Sequence, residues 1–243
     1  MSLTDAALAA QLAATAGDIL LAVRRSGVFG PKALGAAGDH TADTFLLHAL
    51  RAARPDDGIF SEETRCDGTR LAKSRVWIVD PLDGTREYGE GRDDWAVHVA
   101  LAVDGVARAG AVALPALGLT LRSDRPVAIP PAAERLRMVV SRTRPPAQAL
   151  AVAAALGAAL VPMGSAGAKA MAVVRGEADI YLHAGGQHQW DNCAPVAVAA
   201  AHGLHASRLN GGPLVYNGAD TLLPDLLICR PELAGRVLAL VRT

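Results

Sequence analysis

Apolar positions recur along this chain in two periods, and the switches between them outline its elements. Leu8, Leu12, Thr15, Ile19 and Val23 fall at steps of three or four, which predicts an amphipathic first helix. Gly27 to Gly38 reads as a glycine-punctuated loop carrying Lys32. A second helix is expected from near Thr41, burying Phe45, Leu46 and Leu50 and stopping before Pro55. Ile59-Phe60 is a short buried segment that runs into Glu62-Glu63, and a polar excursion follows from Thr64 to Ser74. Val76-Trp77-Ile78-Val79 reads as a buried strand that ends abruptly at Asp80-Pro81. From Trp95 to Val103 large apolar residues alternate with Ala96, His98 and Ala100, the period of a strand. Asp104-Gly105 is a strong hairpin signal, with a return strand over Val106 to Leu114 and a third strand around Leu119 to Arg122.

The proline-rich segment Asp124 to Glu134 is the expected boundary between two halves, residues 1–125 and 135–243. Beyond it the pattern predicts strands at Leu136–Val140, Ala159–Val161 and Ile180–Leu182, and helices at Ala147–Leu156 and Ala168–Val174. A long alanine-rich helix should open at Asp191 and end near His202-Gly203, and Leu226–Cys229 should close the chain as a strand. Helices and strands intermix in both halves around an antiparallel meander, so the expected class is α/β (α+β).

Charge and cysteine content narrow the function. The 24 Lys and Arg balance 24 Asp and Glu, which argues against nucleic-acid binding through a broad basic surface. Asp5 and Asp18 stand where a signal peptide would be basic and apolar, and the alanine-rich runs are cut by Gly, Arg, Asp or His, so no membrane span is expected. Cys66, Cys193 and Cys229 are too few and too scattered for a disulfide framework or a thiolate metal site. The expectation is a soluble, cytoplasmic protein.

The chemistry concentrates at the ends of apolar runs. A buried strand that runs out into Asp80 places that carboxylate at its C-terminal edge, where α/β folds hold ligands. Asp83 follows within Asp80-Pro81-Leu82-Asp83-Gly84-Thr85, and Gly84 lets the backbone approach closely. Two carboxylates held together repel unless a cation sits between them. An Asx turn plus a helix cap would explain one Asp and Thr85, but not both acids. Glu62 and Asp191 are further acids at element edges, while Glu63 can be a solvated surface acid and Asp191 a helix cap. An all-oxygen set suits Mg²⁺ rather than Zn²⁺.

Glu62-Glu63, then Trp77 to Thr85, then Trp190-Asp191 together resemble the inositol monophosphatase-like superfamily of Mg²⁺-dependent, lithium-sensitive phosphomonoesterases. Asp39-His40-Thr41-Ala42-Asp43 looks like that family's N-terminal acidic segment. Within it, Arg86-Glu87-Tyr88, Ser141-Arg142 and Gly164-Ser165-Ala166-Gly167-Ala168-Lys169 are most similar to the CysQ branch, actinobacterial members above all. The loop Ala184 to Gln189, longer than in inositol monophosphatases, and Gly203-Leu204-His205, in place of Gly-Gly, depart from the pattern where a leaving group would be recognised.

The resemblance implies a five-layered α-β-α-β-α sandwich and two or three Mg²⁺ ions. Asp80 would bridge two ions, Glu62 and the Leu82 carbonyl completing one site, Asp83 and Asp191 the other. Thr85 would orient the attacking water with Asp43 as its partner, and the Gly84 and Thr85 amides would hold phosphoryl oxygens. Ser165, Lys169, Arg142 and Asp191 would face the substrate, Lys169 or Arg142 matching a second phosphate. The implied reaction is hydrolysis of 3'-phosphoadenosine 5'-phosphate (PAP) to AMP and phosphate in sulfur assimilation, with 3'-phosphoadenylyl sulfate as a further substrate, by a homodimer. Inositol 1-phosphate or fructose 1,6-bisphosphate hydrolysis is the alternative.

Overall fold

The computed structural model describes residues 3–64 and 68–242, so Cys66 lies outside the described residues. The first helix, α1 (Asp5–Arg25), starts where Thr4 Oγ1 accepts from the Ala7 amide at 3.2 Å. Its length and composition would suffice to cross a bilayer, contrary to the sequence expectation, but Leu8, Leu12, Ala16 and Leu20 are buried against the first sheet. The second helix, α2 (Pro31–Ala53), begins ten residues before Thr41, so the expected glycine loop is largely helix. Pro31 suits a first helical turn, where its missing N–H costs nothing. The glycines inside this helix mark close approach. A Cβ on Gly35 would stand 2.7 Å from Thr85 Cγ2, and one on Gly38 would stand 2.9 Å from the Tyr88 ring.

The first sheet has the order β1-β2-β3-β4-β5. β1 (Gly58–Ser61) runs parallel to β2 (Arg75–Asp83); β3 (Ala96–Val103), β4 (Val106–Leu114) and β5 (Leu119–Arg122) complete an antiparallel meander. Asp104 and Gly105 both take positive φ, 50° and 77°, as the two-residue hairpin requires. β2 does not stop at Asp80. It bulges: Asp80 lies opposite His98 and Asp83 opposite Ala96, three residues facing two. Without the extra residue Asp83 would point to the other face; with it, both carboxylates share one side of the sheet.

The second sheet has the order β7-β6-β8-β10-β9. β6 (Arg137–Ser141) is parallel to β7 (Ala159–Met163) and β8 (Ile180–His188), and β10 (Leu222–Cys229) runs antiparallel to β8 and to β9 (His205–Ser207). The segment expected as a loop from Ala184 to Gln189 mostly continues β8, with Gly185 and Gly186 at φ 111° and 89° beside a register shift in β10. Four helices accompany this sheet: α4 (Ala147–Leu156), α5 (Ala166–Val174), α6 (Gln189–Ala201) and α7 (Pro231–Val241). β10 does not close the chain; α7 does.

Alternation along the strands sorts the apolar side chains into three clusters, and the clusters define five layers. Trp77, Val79, Val97, Val99 and Leu101 face α1 and α2. Ile78, Ala100 and Val112 face the other way, toward α5 and α6, beyond which lie Val139, Tyr181 and Ile228 of the second sheet. Met138, Ile180, Leu182 and Leu227 cover the far side against α4 and α7. The middle layer approaches the first sheet closely because its neighbours are small: a Cβ on Gly110 would lie 3.0 Å from that of Ala197.

Candidate active site

The β2 bulge and the first turn of α6 bring three acids to one point. Asp80, Asp83 and Asp191 each place a carboxylate oxygen within 4.8 Å of the others. Asp80 is 1% exposed, and among the described residues no Lys or Arg forms an ion pair with any of the three. Glu62, just past the end of β1, lies near enough for its charge to oppose ionisation of the Asp80 carboxyl. Both turn motifs weighed against a metal site are also present: Asp80 Oδ1 accepts from the Leu82 amide at 3.1 Å, and Asp191 Oδ2 accepts from the His188 amide at 2.6 Å in a capping box. Each uses one carboxylate oxygen, and each acid has two.

The electrostatics separate these acids. Burial, then the charges of Glu62, Asp83 and Asp191, push Asp80 well above the carboxylate range. Burial and the Asp191 charge raise Glu62 to about 7, and burial and the Asp83 charge raise Asp191 to about 6. Asp83 goes the other way. Burial opposes its ionisation, but His98, Ser165 and Lys169 hold it near 2. Its oxygens accept from Ser165 Oγ at 2.5 Å, Ala166 N at 3.1 Å and Gly167 N at 2.6 Å, so the first turn of α5 closes on this carboxylate. His98, buried in β3, puts Nε2 3.2 Å from Asp83 and Nδ1 3.0 Å from the Trp190 carbonyl. Both ring nitrogens face acceptors, so the imidazolium form is favoured and its pKa is raised against its burial. His98 was not singled out in the sequence; a polar side chain on the small-residue face of an alternating strand was the available signal.

A converging set of oxygen donors, three of them held above their ordinary pKa by burial and by one another's charge, fits a hard divalent cation. Glu62, Asp80, Asp83 and Asp191 are the side chains that would hold it.

Thr85 opens the short helix α3 (Thr85–Gly89), with Gly84 in the left-handed region at φ 94° just before it. A side chain at 84 would be strained: besides the positive φ, a Cβ there would lie 3.2 Å from those of Trp95 and Ser165. Thr85 Oγ1 lies 3.1 Å from the Leu82 carbonyl and 3.3 Å from Asp39 Oδ2. The expected partner, Asp43, is elsewhere: it accepts from Ser61 Oγ at 2.5 Å and Thr64 Oγ1 at 2.9 Å, bracing the chain before and after Glu62. Asp39 and Asp43 stand one helical turn apart on the buried face of α2, and spacing alone cannot choose between them. Among the described residues Asp39 keeps one buried oxygen without a partner, and burial with the Glu63 and Glu62 charges raises it to about 8.

The expected substrate residues are only partly available. Ser165 serves Asp83, as described. Lys169 is buried, with Nζ donating to the Gly164 and Ser165 carbonyls at 3.1 and 2.5 Å. Arg142 is not a free charge either: it donates to Glu87 at 2.6 Å and to Glu90 at 2.7 Å. A cavity of about 380 Å³ opens over the cluster, with Thr85, Asp83 and Asp191 at its floor and Arg86, Arg144 and His183 among its walls.

The chain resembles known proteins in sequence and in fold. The chain is 50% identical to a Mycobacterium leprae protein named 3'-phosphoadenosine 5'-phosphate phosphatase, over 99% of this chain and 94% of that relative. It is 28% identical to the 3'(2'),5'-bisphosphate nucleotidase CysQ of Escherichia coli K12, over 77% and 81% of the two chains. The crystal structure of CysQ from Bacteroides thetaiotaomicron superposes with a TM-score of 0.78 at 24% identity, covering 93% of this chain and 96% of that one. Residues 4–243 match the inositol monophosphatase family throughout, and the chain belongs to it.

Proposed function

We propose that this protein is a Mg²⁺-dependent phosphomonoesterase that hydrolyses PAP to AMP and phosphate, acting in the cytoplasm as a homodimer on a small-molecule ester, without nucleic-acid or membrane partners. The observation that carries the reading is the convergence of Asp80, Asp83 and Asp191 beneath a cavity whose walls are basic, in a chain half identical to a relative named for that substrate. Bound at these carboxylates, Mg²⁺ would supply charge for the phosphoryl oxygens and acidify a water.

The rest of the chemistry belongs to the chain. Thr85 Oγ1 donates its proton to Asp39 or to the Leu82 carbonyl, which leaves its lone pairs to accept from a water and aim it. That water adds to phosphorus, the bond from phosphorus to the ribose 3'-oxygen breaks, one water proton ends on that oxygen as the hydroxyl of AMP, and the other leaves with inorganic phosphate. Asp83, held by three hydrogen-bond donors and the adjacent His98 ring, fixes one wall of the cluster.

The test is phosphate release from PAP, inositol 1-phosphate and fructose 1,6-bisphosphate, with Mg²⁺, with excess EDTA and with Ca²⁺. PAP should show the highest kcat/KM, EDTA should abolish it, and Ca²⁺ should not restore it. Asp39→Asn should lower kcat by at least about a hundredfold, and Asp43→Asn far less. Preferred turnover of inositol 1-phosphate or fructose 1,6-bisphosphate would overturn the substrate assignment.

A further inference from the structure

Four Lys and Arg side chains line the cavity above the acidic cluster, and they divide into two kinds. Lys169 and Arg142 are committed, the first to the Gly164 and Ser165 carbonyls that shape the α5 turn, the second to Glu87 and Glu90. The Arg142–Glu87 pair joins the end of β6 to α3 and so ties the two halves of the cavity wall together. Arg86 and Arg144 are different. Both are exposed, both line the cavity, and among the described residues neither guanidinium has an ion pair or hydrogen bond. Arg86 follows Thr85 directly, on the half that carries the reacting threonine. Arg144 comes from the other half, in the turn after β6, where its amide donates to Ser141 Oγ at 3.2 Å.

Two uncompensated guanidinium groups from opposite halves, on the wall of one cavity, are a receptor for a dianion. Their charge is not needed at the floor, where the acids call for a cation. We propose that Arg86 and Arg144 bind the second, non-hydrolysed phosphate of a bisphosphate substrate and set the preference for bisphosphates over monophosphates. The inference rests on the phosphatase reading above and deepens it. It also replaces Lys169 and Arg142 in that role: drawing either onto a ligand would break bonds that hold the cavity wall.

The experiment compares kcat/KM for PAP and for 3'-AMP, which shares the adenosine and the scissile 3'-phosphate but lacks the second phosphate. Wild type, Arg86→Ala, Arg144→Ala and the double variant are measured with Mg²⁺ at fixed ionic strength, with inositol 1-phosphate alongside. Wild type should prefer PAP, and each single substitution should reduce that preference about ten- to hundredfold. Arg86→Lys and Arg144→Lys should retain part of it, since charge survives but the bidentate fork does not. A wild-type preference for PAP that persists unchanged in the double variant overturns the two-arginine assignment and leaves the phosphatase reading standing. A wild type that favours inositol 1-phosphate over PAP overturns the assignment of PAP as substrate, on which this inference rests.

Discussion

Gly167 offers a test of how the site is held together, because a single methyl group there strikes the residue that anchors Asp83. A Cβ at Gly167 would lie 2.0 Å from His98 Nε2 and 3.0 Å from two further ring atoms. Ordinary contact begins at 3.4 Å, so His98 and α5 would have to part by 3.4 − 2.0 = 1.4 Å. Neither side yields easily. His98 is fully buried and tied at both nitrogens, and every residue of α5 from Ala166 to Val174 is buried. Overpacking of this kind costs about 1–3 kcal/mol. For a chain of this size that corresponds to a fall in Tm of roughly 2–12 °C. The displacement also pulls donors away from Asp83, so the Mg²⁺ concentration for half-maximal turnover should rise by about ten- to hundredfold.

The assay is thermal unfolding of Gly167→Ala in EDTA together with the Mg²⁺ dependence of phosphate release. His98→Ala removes the obstacle, so in that background the added methyl should cost almost nothing in Tm. The Mg²⁺ requirement should stay high there, because Asp83 still lacks its imidazolium. An equal Tm loss from Gly167→Ala in both backgrounds, or none in either, would refute the reasoning.

Two further outcomes follow from the unequal treatment of the acids. In EDTA at pH 8, Asp80→Asn should raise Tm by removing a buried acid that its neighbours keep from ionising, whereas Asp83→Asn should lower it, since bonds to a charged acceptor are worth about 1.5–3 kcal/mol each; paired melts that move in the same direction would contradict this. The metal-free protein should also lose stability between pH 5 and pH 8. Asp39 and Asp191 have folded pKa values, about 8 and about 6, above the ordinary 3.8, so their contribution is fully present below about pH 4 and is lost as pH rises through those values, at up to about 1.4 kcal/mol per pH unit for each proton. Mg²⁺ should flatten that decline, and a pH-independent Tm in EDTA would count against it.

The sequence carried the acidic cluster more legibly than the fold around it. Asp80, Asp83 and Asp191 stand at ends of apolar runs, and runs are what periodicity detects; the bulge that turns Asp83 onto the same face as Asp80 leaves no mark in the pattern beyond Pro81. Gly35 and Gly38 were misread as loop residues because helix breaking and close helix packing ask for the same residue type, and only the Thr85 and Tyr88 side chains opposite them decide which applies. The end of β8 was misread for a similar reason: Gly185 and Gly186 sit at positive φ within a strand. Partner choice was the least legible. Whether Asp39 or Asp43 meets Thr85, and whether Arg142 is free or neutralised by Glu87, depends on how the two sheets and α3 meet, which no local pattern records.

The asymmetry of the cluster follows from where its members originate. Asp83 belongs to β2 of the first sheet, but its hydrogen-bond donors, Ser165, Ala166 and Gly167, belong to the chain beside the second. Asp191 likewise reaches the cluster from α6, packed between the sheets, and the core around α5 and α6 draws apolar residues from both. Packing of the two sheets against α5 and α6 therefore satisfies Asp83 and also sets Asp191 beside Asp80 and Glu62, where burial and repulsion raise their pKa values. The contact that stabilises one carboxylate creates the charge conflict in the others. A cation that relieves the conflict stabilises the docked arrangement by the free energy of its binding, so metal affinity and cohesion of the two halves should rise and fall together.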